Sequence, residues 1–125
     1  MPGQIESFRD LIVWQKAMEL AAIAYRLAKS MPRTEEYRLT SQLVRAAASV
    51  PANIAEGHSR GTRKDYANFI SIARGSLAET ETFLLLAVDV DLLPVETVQP
   101  AIEKGRESSR MLTSLLNKLR EPASK

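Results

Sequence analysis

The chain has 125 residues, of which 45% are apolar and 26% charged, and its formal net charge is +2. This length and composition predict one folded domain, residues 1–125, and exclude a disordered chain. The absence of cysteine excludes disulfides, thiolate metal sites and a cysteine nucleophile. The sequence has no apolar run of about 18 residues, so no membrane span is predicted. Residues 1–10 lack the pattern of a signal peptide. We therefore expect a cytoplasmic protein.

The first helix is predicted over about 10–30, with Asp10 as its N-cap. Its apolar residues lie on two sides. One stripe, predicted to face the core, comprises Leu11, Trp14, Met18, Ala21, Tyr25 and Ala28. The second stripe, predicted to meet another subunit, comprises Val13, Leu20, Ile23 and Leu27. The alternative is a helix that is simply buried on both sides.

The second helix is predicted over about 34–57, with Thr34 as its cap. Its apolar residues keep one helical phase on both sides of Pro51. A proline ring inside a helix crowds the carbonyl of the preceding turn. We therefore predict that this helix continues through Pro51 with a kink and is not ended there.

Polar residues form a second line along the same helix and continue onto the third. The members of this polar line are Gln42, Ser49, Asn53 and Glu56 on helix two, and Ser76 and Glu79 on helix three. A polar line of this kind is either solvent-facing or a network between helices, and the flanking alanines favour the network. An Arg45–Glu79 pair is geometrically allowed. Gly75 and Ser76 are expected where another backbone comes close.

The third helix is predicted over about 62–89, after a Gly- and Ser-rich turn, with Thr62 as its N-cap. The fourth is predicted over about 97–120, which puts Pro100 in its first turn. Gly105 and Ser109 leave a hollow in its apolar stripe that Trp14 is expected to fill. Four helices with short connections predict an all-α, antiparallel up-down four-helix bundle.

Three segments of the chain are similar to a known family. FRDLIVWQKA (residues 8–17), QLVRAAASVPANIAEG (42–57) and FISIARGSLAE (69–79) resemble the bacterial four-helix-bundle proteins of ribosomal-RNA intervening sequences. The resemblance implies a ring-shaped homopentamer with a shared core and polar line, and no catalytic site. A related branch, the accessory proteins of diversity-generating retroelements, binds RNA and a reverse transcriptase through a positive surface. This chain departs from the family at residues 88–93 and lacks the strongly basic balance of that branch.

The residue types do not predict an enzyme. The one histidine, His58, lies in a turn, and no Glu-x-x-His spacing of a di-iron bundle occurs. The Lys of a phosphate-binding loop is missing after Gly57-x-x-x-Gly61. We therefore predict no metal, no cofactor and no catalytic residue.

Basic residues are concentrated in one part of the chain. Residues 26–74 carry nine Lys and Arg against four Asp and Glu, whereas residues 75–99 carry five acids and no base. Arg60, Arg63 and Lys64 cluster at the turn between helices two and three, and Arg45 and Arg74 lie further along those helices. These five side chains are the predicted contacts to the phosphates of structured RNA.

Four alternatives to this interpretation stay open. The basic turn is equally well explained as a solvated helix tip. The partner is alternatively a nucleic-acid enzyme. The protein is alternatively a protein–protein adaptor that docks through a surplus apolar surface or the acidic surface of residues 75–99, or a structural oligomer with no nucleic-acid role.

Overall fold

Four α-helices account for most of the computed structural model, which describes residues 5–122. They are α1 (Ile12–Lys29), α2 (Ser41–His58), α3 (Arg63–Asp89) and α4 (Val95–Leu119). Each helix packs against two others, α1 and α3 both lying between α2 and α4. Short connections make consecutive helices antiparallel. The predicted all-helical four-helix fold is therefore confirmed, and none of the described helices is long and apolar enough to cross a membrane.

The start of α1 differs from the prediction that Asp10 caps it. A 3-10 turn, Phe8–Asp10, precedes α1, and the Asp10 carboxylate accepts from the backbone N–H groups of Glu6 (2.9 Å) and Ser7 (3.1 Å). These donors, Glu6 first, hold the pKa of Asp10 below its ordinary value. The N-cap of α1 is Leu11, which makes no side-chain cap bond. Asp10 thus caps the turn before the helix.

The predicted assignment of the two apolar stripes of α1 is wrong for four of their residues. Val13 and Leu20, predicted to meet another subunit, are 7% and 1% exposed and lie in the core of the single chain. Met18 and Tyr25, predicted to be core, are 45% and 56% exposed. The other predicted interface residues, Ile23 and Leu27, pack partly buried against the same core. The buried face is completed by Ala17, Ala24 and Ala28, small residues that bring α1 close to its neighbours.

The connection into α2 is less regular than the predicted helix over 34–57. A 3-10 turn (Arg33–Glu35) and a π-helical turn (Glu36–Thr40) precede α2, and Arg38 has non-helical angles (φ −114°, ψ −113°). Thr34 lies inside the 3-10 turn and caps nothing. From Ser41 the α-helix runs unbroken through the buried Pro51. The kink at Pro51 stays a prediction.

The close approach between α2 and α3 occurs at Gly57 and not at Gly75. A Cβ added to Gly57 would lie 2.8 Å from the Cβ of Phe69, whereas one added to Gly75 would meet nothing within 4 Å. A Cβ added to Gly105 would lie 3.9 Å from the side chains of Leu20 and Leu77, which is ordinary van der Waals contact. Trp14, expected in that hollow, instead packs edge-on against Phe8 at 5.2 Å between ring centroids.

The turn from α3 to α4 uses an aspartate in the left-handed conformation. Asp91 has φ +61°, and the Leu92 N–H donates to the Ala87 carbonyl at 2.8 Å, which closes the end of α3. Helix α4 then begins at Val95, two residues before the expected start. Pro100 therefore lies inside the helix, beyond the first turn.

Candidate nucleic-acid interface

The turn between α2 and α3 holds the predicted basic cluster outward. Gly61 takes φ +93° to reverse the chain, a conformation that only glycine adopts without cost. The Thr62 hydroxyl then accepts from the Asp65 N–H at 3.1 Å and caps α3. This tight turn leaves Arg60, Arg63 and Lys64 exposed at one end of the bundle.

Two of these three basic side chains also have partners within the chain. The Arg60 Nε lies 3.0 Å from a Glu56 carboxylate oxygen, and its guanidinium lies over the Phe69 ring, 5.0 Å from the centroid. The Arg63 guanidinium donates to the Lys118 carbonyl at 2.6 Å. Among the residues that the structure describes, Lys64 forms no ion pair. Glu56 therefore offsets the charge of Arg60, whereas Arg63 contacts an uncharged carbonyl and keeps its charge.

The Arg63 contact brings the end of α4 to this turn. Lys118 and Arg120, both exposed, lie on the last turn of α4 and directly after it. Sequence reasoning did not include them, although an antiparallel bundle necessarily puts the C-terminus of α4 beside the α2–α3 turn. We call the surface formed by Arg60, Arg63, Lys64, Lys118 and Arg120 the basic end.

Arg45 and Arg74 lie apart from the basic end. At 1.5 Å per residue, Arg45 is roughly 20 Å along α2 from the turn and Arg74 roughly 16 Å along α3. Both side chains are exposed. The five predicted nucleic-acid contacts thus divide into three at the end of the bundle and two on its side.

Three members of the predicted polar line form a hydrogen-bonded network between α2 and α3. The Ser49 and Ser76 hydroxyls are 2.7 Å apart, and the Asn53 amide donates to both the carbonyl and the hydroxyl of Ser49 at 2.8 Å. Ser76 is 6% exposed, so its hydroxyl is satisfied where water is excluded. Thr80 extends the network by donating to the Ser76 carbonyl at 2.8 Å.

The other three members of the polar line are not in this network. Glu56 pairs with Arg60. Gln42 and Glu79 lie further along, where they line an open pocket of about 190 Å³ together with Arg45, Ala46, Ser49 and Phe83. Arg45 and Glu79 share this pocket, but they are not within ion-pair distance in the described chain. Phe83, the aromatic residue of this pocket, also packs partly buried against the core.

Two further titratable side chains near the basic end, His58 and Tyr66, pack against each other. His58 packs edge-on against Tyr66, with 5.7 Å between ring centroids. Burial raises the pKa of the Tyr66 phenol, because the phenolate form is poorly solvated there. Within residues 5–122, no three His, Asp or Glu side chains converge as a metal site would require.

Comparison with family models gives a match over residues 9–114 to the model described as 23S rRNA-intervening sequence protein. The match covers α1, α2, α3 and most of α4. The chain belongs to the 23S rRNA-intervening sequence protein family. A search of curated proteins gave no match.

A solved structure supports the same assignment. It is a 1.70 Å crystal structure of a protein of unknown function from the S23 ribosomal protein family of Bacteroides thetaiotaomicron. The two chains are 26% identical with a TM-score of 0.79, and the alignment covers 84% of this chain and 98% of that one. The match to the 23S rRNA-intervening sequence protein model ends before Lys118 and Arg120, so these two residues of the basic end lie outside it.

Proposed function

We propose that the protein is a non-enzymatic RNA-associated scaffold that binds the phosphate backbone through its basic end. The observation that carries this proposal is the convergence of five exposed basic side chains at one end of the bundle, from the α2–α3 turn, the start of α3 and the end of α4. Lys and Arg on such a surface attract phosphate electrostatically and do not read base sequence. The family's description as rRNA-intervening sequence proteins supports RNA as the polyanion.

Assembly would strengthen a surface that is weak in one copy. The resemblance noted in the sequence implies a homopentameric ring, and we include that ring in the proposal. Five copies of the basic end on one assembly would bind one RNA with avidity beyond that of a single copy. Two contacts hold side chains of the basic end in place for this use. Arg60 pairs with Glu56, and Arg63 donates to the Lys118 carbonyl.

A salt titration with structured RNA tests the proposal. We expect affinity, measured by fluorescence anisotropy, to fall as salt rises from about 50 to about 200 mM, because phosphate contacts release counterions. The Arg60/Arg63/Lys64 triple alanine variant should bind more weakly and with a shallower salt dependence. An affinity that does not change with salt contradicts the proposal.

The matched control removes three charges from the opposite end. Arg26, Lys29 and Arg33 are exposed and lie at the α1–α2 connection, so their triple alanine variant changes the net charge equally. It should keep nearly full affinity. Circular dichroism of both variants is needed because Arg63 also holds the end of α4. Equal losses in the two folded variants contradict a role for the basic end.

One observation favours a second candidate, a protein–protein adaptor. Leu86, Val90 and Val95 are exposed apolar side chains around the α3–α4 connection, beside the acidic Asp89 and Asp91. Such a patch suits an apolar partner with a basic rim. A protein that co-purifies with the chain after nuclease treatment, and is lost from a Leu86/Val90 double serine variant, would support the adaptor. A partner released by nuclease would favour the RNA scaffold.

A further inference from the structure

The pocket between α2 and α3 is lined mostly by polar and charged side chains. Its volume of about 190 Å³ is below the roughly 300 Å³ at which pockets for drug-sized ligands begin. A group the size of one nucleobase matches it. Ser49 also lines the pocket, and hydrogen bonds with Ser76 and Asn53 hold its hydroxyl in place.

The walls carry hydrogen-bonding groups that the described chain leaves unused. The side chains of Gln42, Arg45 and Glu79 make no hydrogen bond or ion pair to another residue in 5–122, although all three line the same pocket. Arg45 supplies a fork of donors and Glu79 a pair of acceptors. Phe83 adds an aromatic wall.

The ligand that suits these groups has two adjacent N–H donors, a flat ring and a nearby anion. A carboxylate accepts two parallel hydrogen bonds, and a guanidinium forms the equivalent pair with phosphate. Among the four RNA bases, only guanine presents two adjacent donors, N1–H and N2–H, on its Watson–Crick edge. Adenine, cytosine and uracil each set an acceptor beside their donor, and that acceptor would face the carboxylate oxygen.

We propose that this pocket binds a guanine nucleotide, with Glu79 accepting from the Watson–Crick edge, Arg45 on the phosphate and Phe83 against the base. Unpaired bases in RNA are recognised in this way, by stacking on aromatic rings and hydrogen bonds to their edges. Within an RNA strand, the pocket gives the proposed scaffold a preference for unpaired guanosine, and in that respect the inference rests on the proposed function. The same chemistry also accepts a free guanine nucleotide.

Base substitution in one oligonucleotide tests the pocket directly. We would measure anisotropy of the full chain with a labelled single-stranded oligouridine that carries one central guanosine, inosine or adenosine. Inosine lacks the N2 amino group and so loses one charge-assisted hydrogen bond, which we expect to weaken binding about tenfold. Adenosine should bind at least as weakly as inosine.

Two variants connect this preference to the pocket. Glu79→Gln should remove most of the difference between guanosine and inosine, and Arg45→Ala should weaken binding of the guanosine strand about tenfold. Glu103→Gln and Arg110→Ala change the same charges on α4, where both side chains are exposed, and should leave the preference intact. Equal affinity for the three strands overturns the inference, as does a preference that persists in Glu79→Gln.

Further measurements distinguish a free nucleotide from a guanosine in a strand, and the pocket from the basic end. Saturation-transfer NMR with guanosine monophosphate, with and without Glu79→Gln, tests the free nucleotide, and binding that depends on Glu79 shows that the pocket also takes a guanine nucleotide outside a strand. Salt-dependent RNA binding with no base preference would sink the pocket and leave the basic end standing. A guanosine preference that is unchanged in the Arg60/Arg63/Lys64 variant, with no loss of affinity, would do the reverse. A peptide that occupies the pocket and is not displaced by guanosine monophosphate also overturns the inference.

Discussion

At the scale of single residues, Gly57 and Gly75 should respond to alanine in opposite directions. A Cβ at position 57 would overlap the Phe69 Cβ at 2.8 Å, and overpacking of this kind costs about 1–3 kcal/mol. A Cβ at position 75 meets nothing within 4 Å on a helical backbone, so Gly75→Ala should stabilise the fold by about 0.4–1 kcal/mol. Urea denaturation of the two variants measures both signs. A stabilised Gly57→Ala would contradict the close approach.

The ion pair between Glu19 and Lys104 predicts a pH-dependent contribution to stability. Lys104 Nζ lies 2.9 Å from Glu19 Oε2, and this hydrogen bond lowers the pKa of Glu19 and raises that of Lys104. A lowered carboxyl pKa stabilises the fold above the ordinary value of 4.5, and this contribution is lost as pH falls through the folded-state pKa. The raised pKa of Lys104 stabilises the fold below pH 10.5, and this contribution is lost as pH rises through the folded-state pKa of Lys104.

Glu19→Gln should therefore lower Tm at pH 7, and the difference from the unmodified chain should shrink as the pH drops below 4.5. The effect is small because the pair is solvated. Glu103→Gln serves as the control, since no basic side chain of the described residues lies within ion-pair distance of Glu103. A Tm difference for Glu19→Gln that is the same at pH 3 and pH 7 would contradict this assignment.

Sequence spacing predicts which residues share a face better than it predicts what each one contacts. Ser49 and Asn53 lie four residues apart and so face the same way on α2, whereas the contact of Ser49 with Ser76 joins two helices. The partner of Arg63, the Lys118 carbonyl 55 positions away, has no sequence signal. The two glycines also look alike in sequence, because only the packed neighbour decides which one needs to lack a side chain.

At the scale of helices, Pro100 should be the least favourable residue of α4. It lies inside Val95–Leu119, where it lacks the N–H that would donate to Glu96, and its side chain is exposed. Pro100→Ala should therefore stabilise the fold by about 1–3 kcal/mol, less about 0.4–1 kcal/mol for the greater freedom of the unfolded chain. Urea denaturation measures this gain.

Pro51→Ala is the matched comparison for Pro100. The Pro51 ring is buried in α2, so its removal loses apolar contacts that offset the restored hydrogen bond. We expect a smaller gain than for Pro100, or a loss. If the exposed Pro100 gave the smaller gain of the two, the account of α4 would be wrong.

Helix starts and buried faces are harder to predict than helix existence. The sequence locates α3 almost to the residue because Thr62 caps it and Asp65 follows at the right spacing. It misassigns Met18 and Tyr25 because helical spacing alone does not show which of two apolar stripes faces the neighbouring helices. In the structure, Ala17, Ala24 and Ala28 are buried together with Val13 and Leu20, and the bulkier Met18 and Tyr25 remain outside. Small residues let helices approach, so in a tight bundle they mark the core as strongly as leucine does.

At the scale of the whole molecule, exposed apolar side chains on α1 suit self-association. Met18 and Tyr25, seven residues apart on one side of the helix, are each about half exposed on the single chain, although large apolar side chains are normally buried. The homopentamer implied by the family resemblance requires such a surface, and the buried Val13 and Leu20 do not provide it. We therefore predict that the exposed side of α1 forms the contact between subunits.

Light scattering at micromolar concentration should then give about five times the chain mass of 13.9 kDa, or about 70 kDa. The Met18→Lys/Tyr25→Lys double variant should shift the mass toward 13.9 kDa while circular dichroism stays helical, because neither side chain belongs to the core of one chain. Leu20→Lys, in contrast, buries a charge and should unfold the chain. A monomer mass for the unmodified chain rules out the pentamer, and a pentamer that survives the double variant assigns the contact to another face. If the unmodified chain is a monomer, the basic end acts as a single copy. Its affinity for RNA should then be weak, and salt should lower it in the same way.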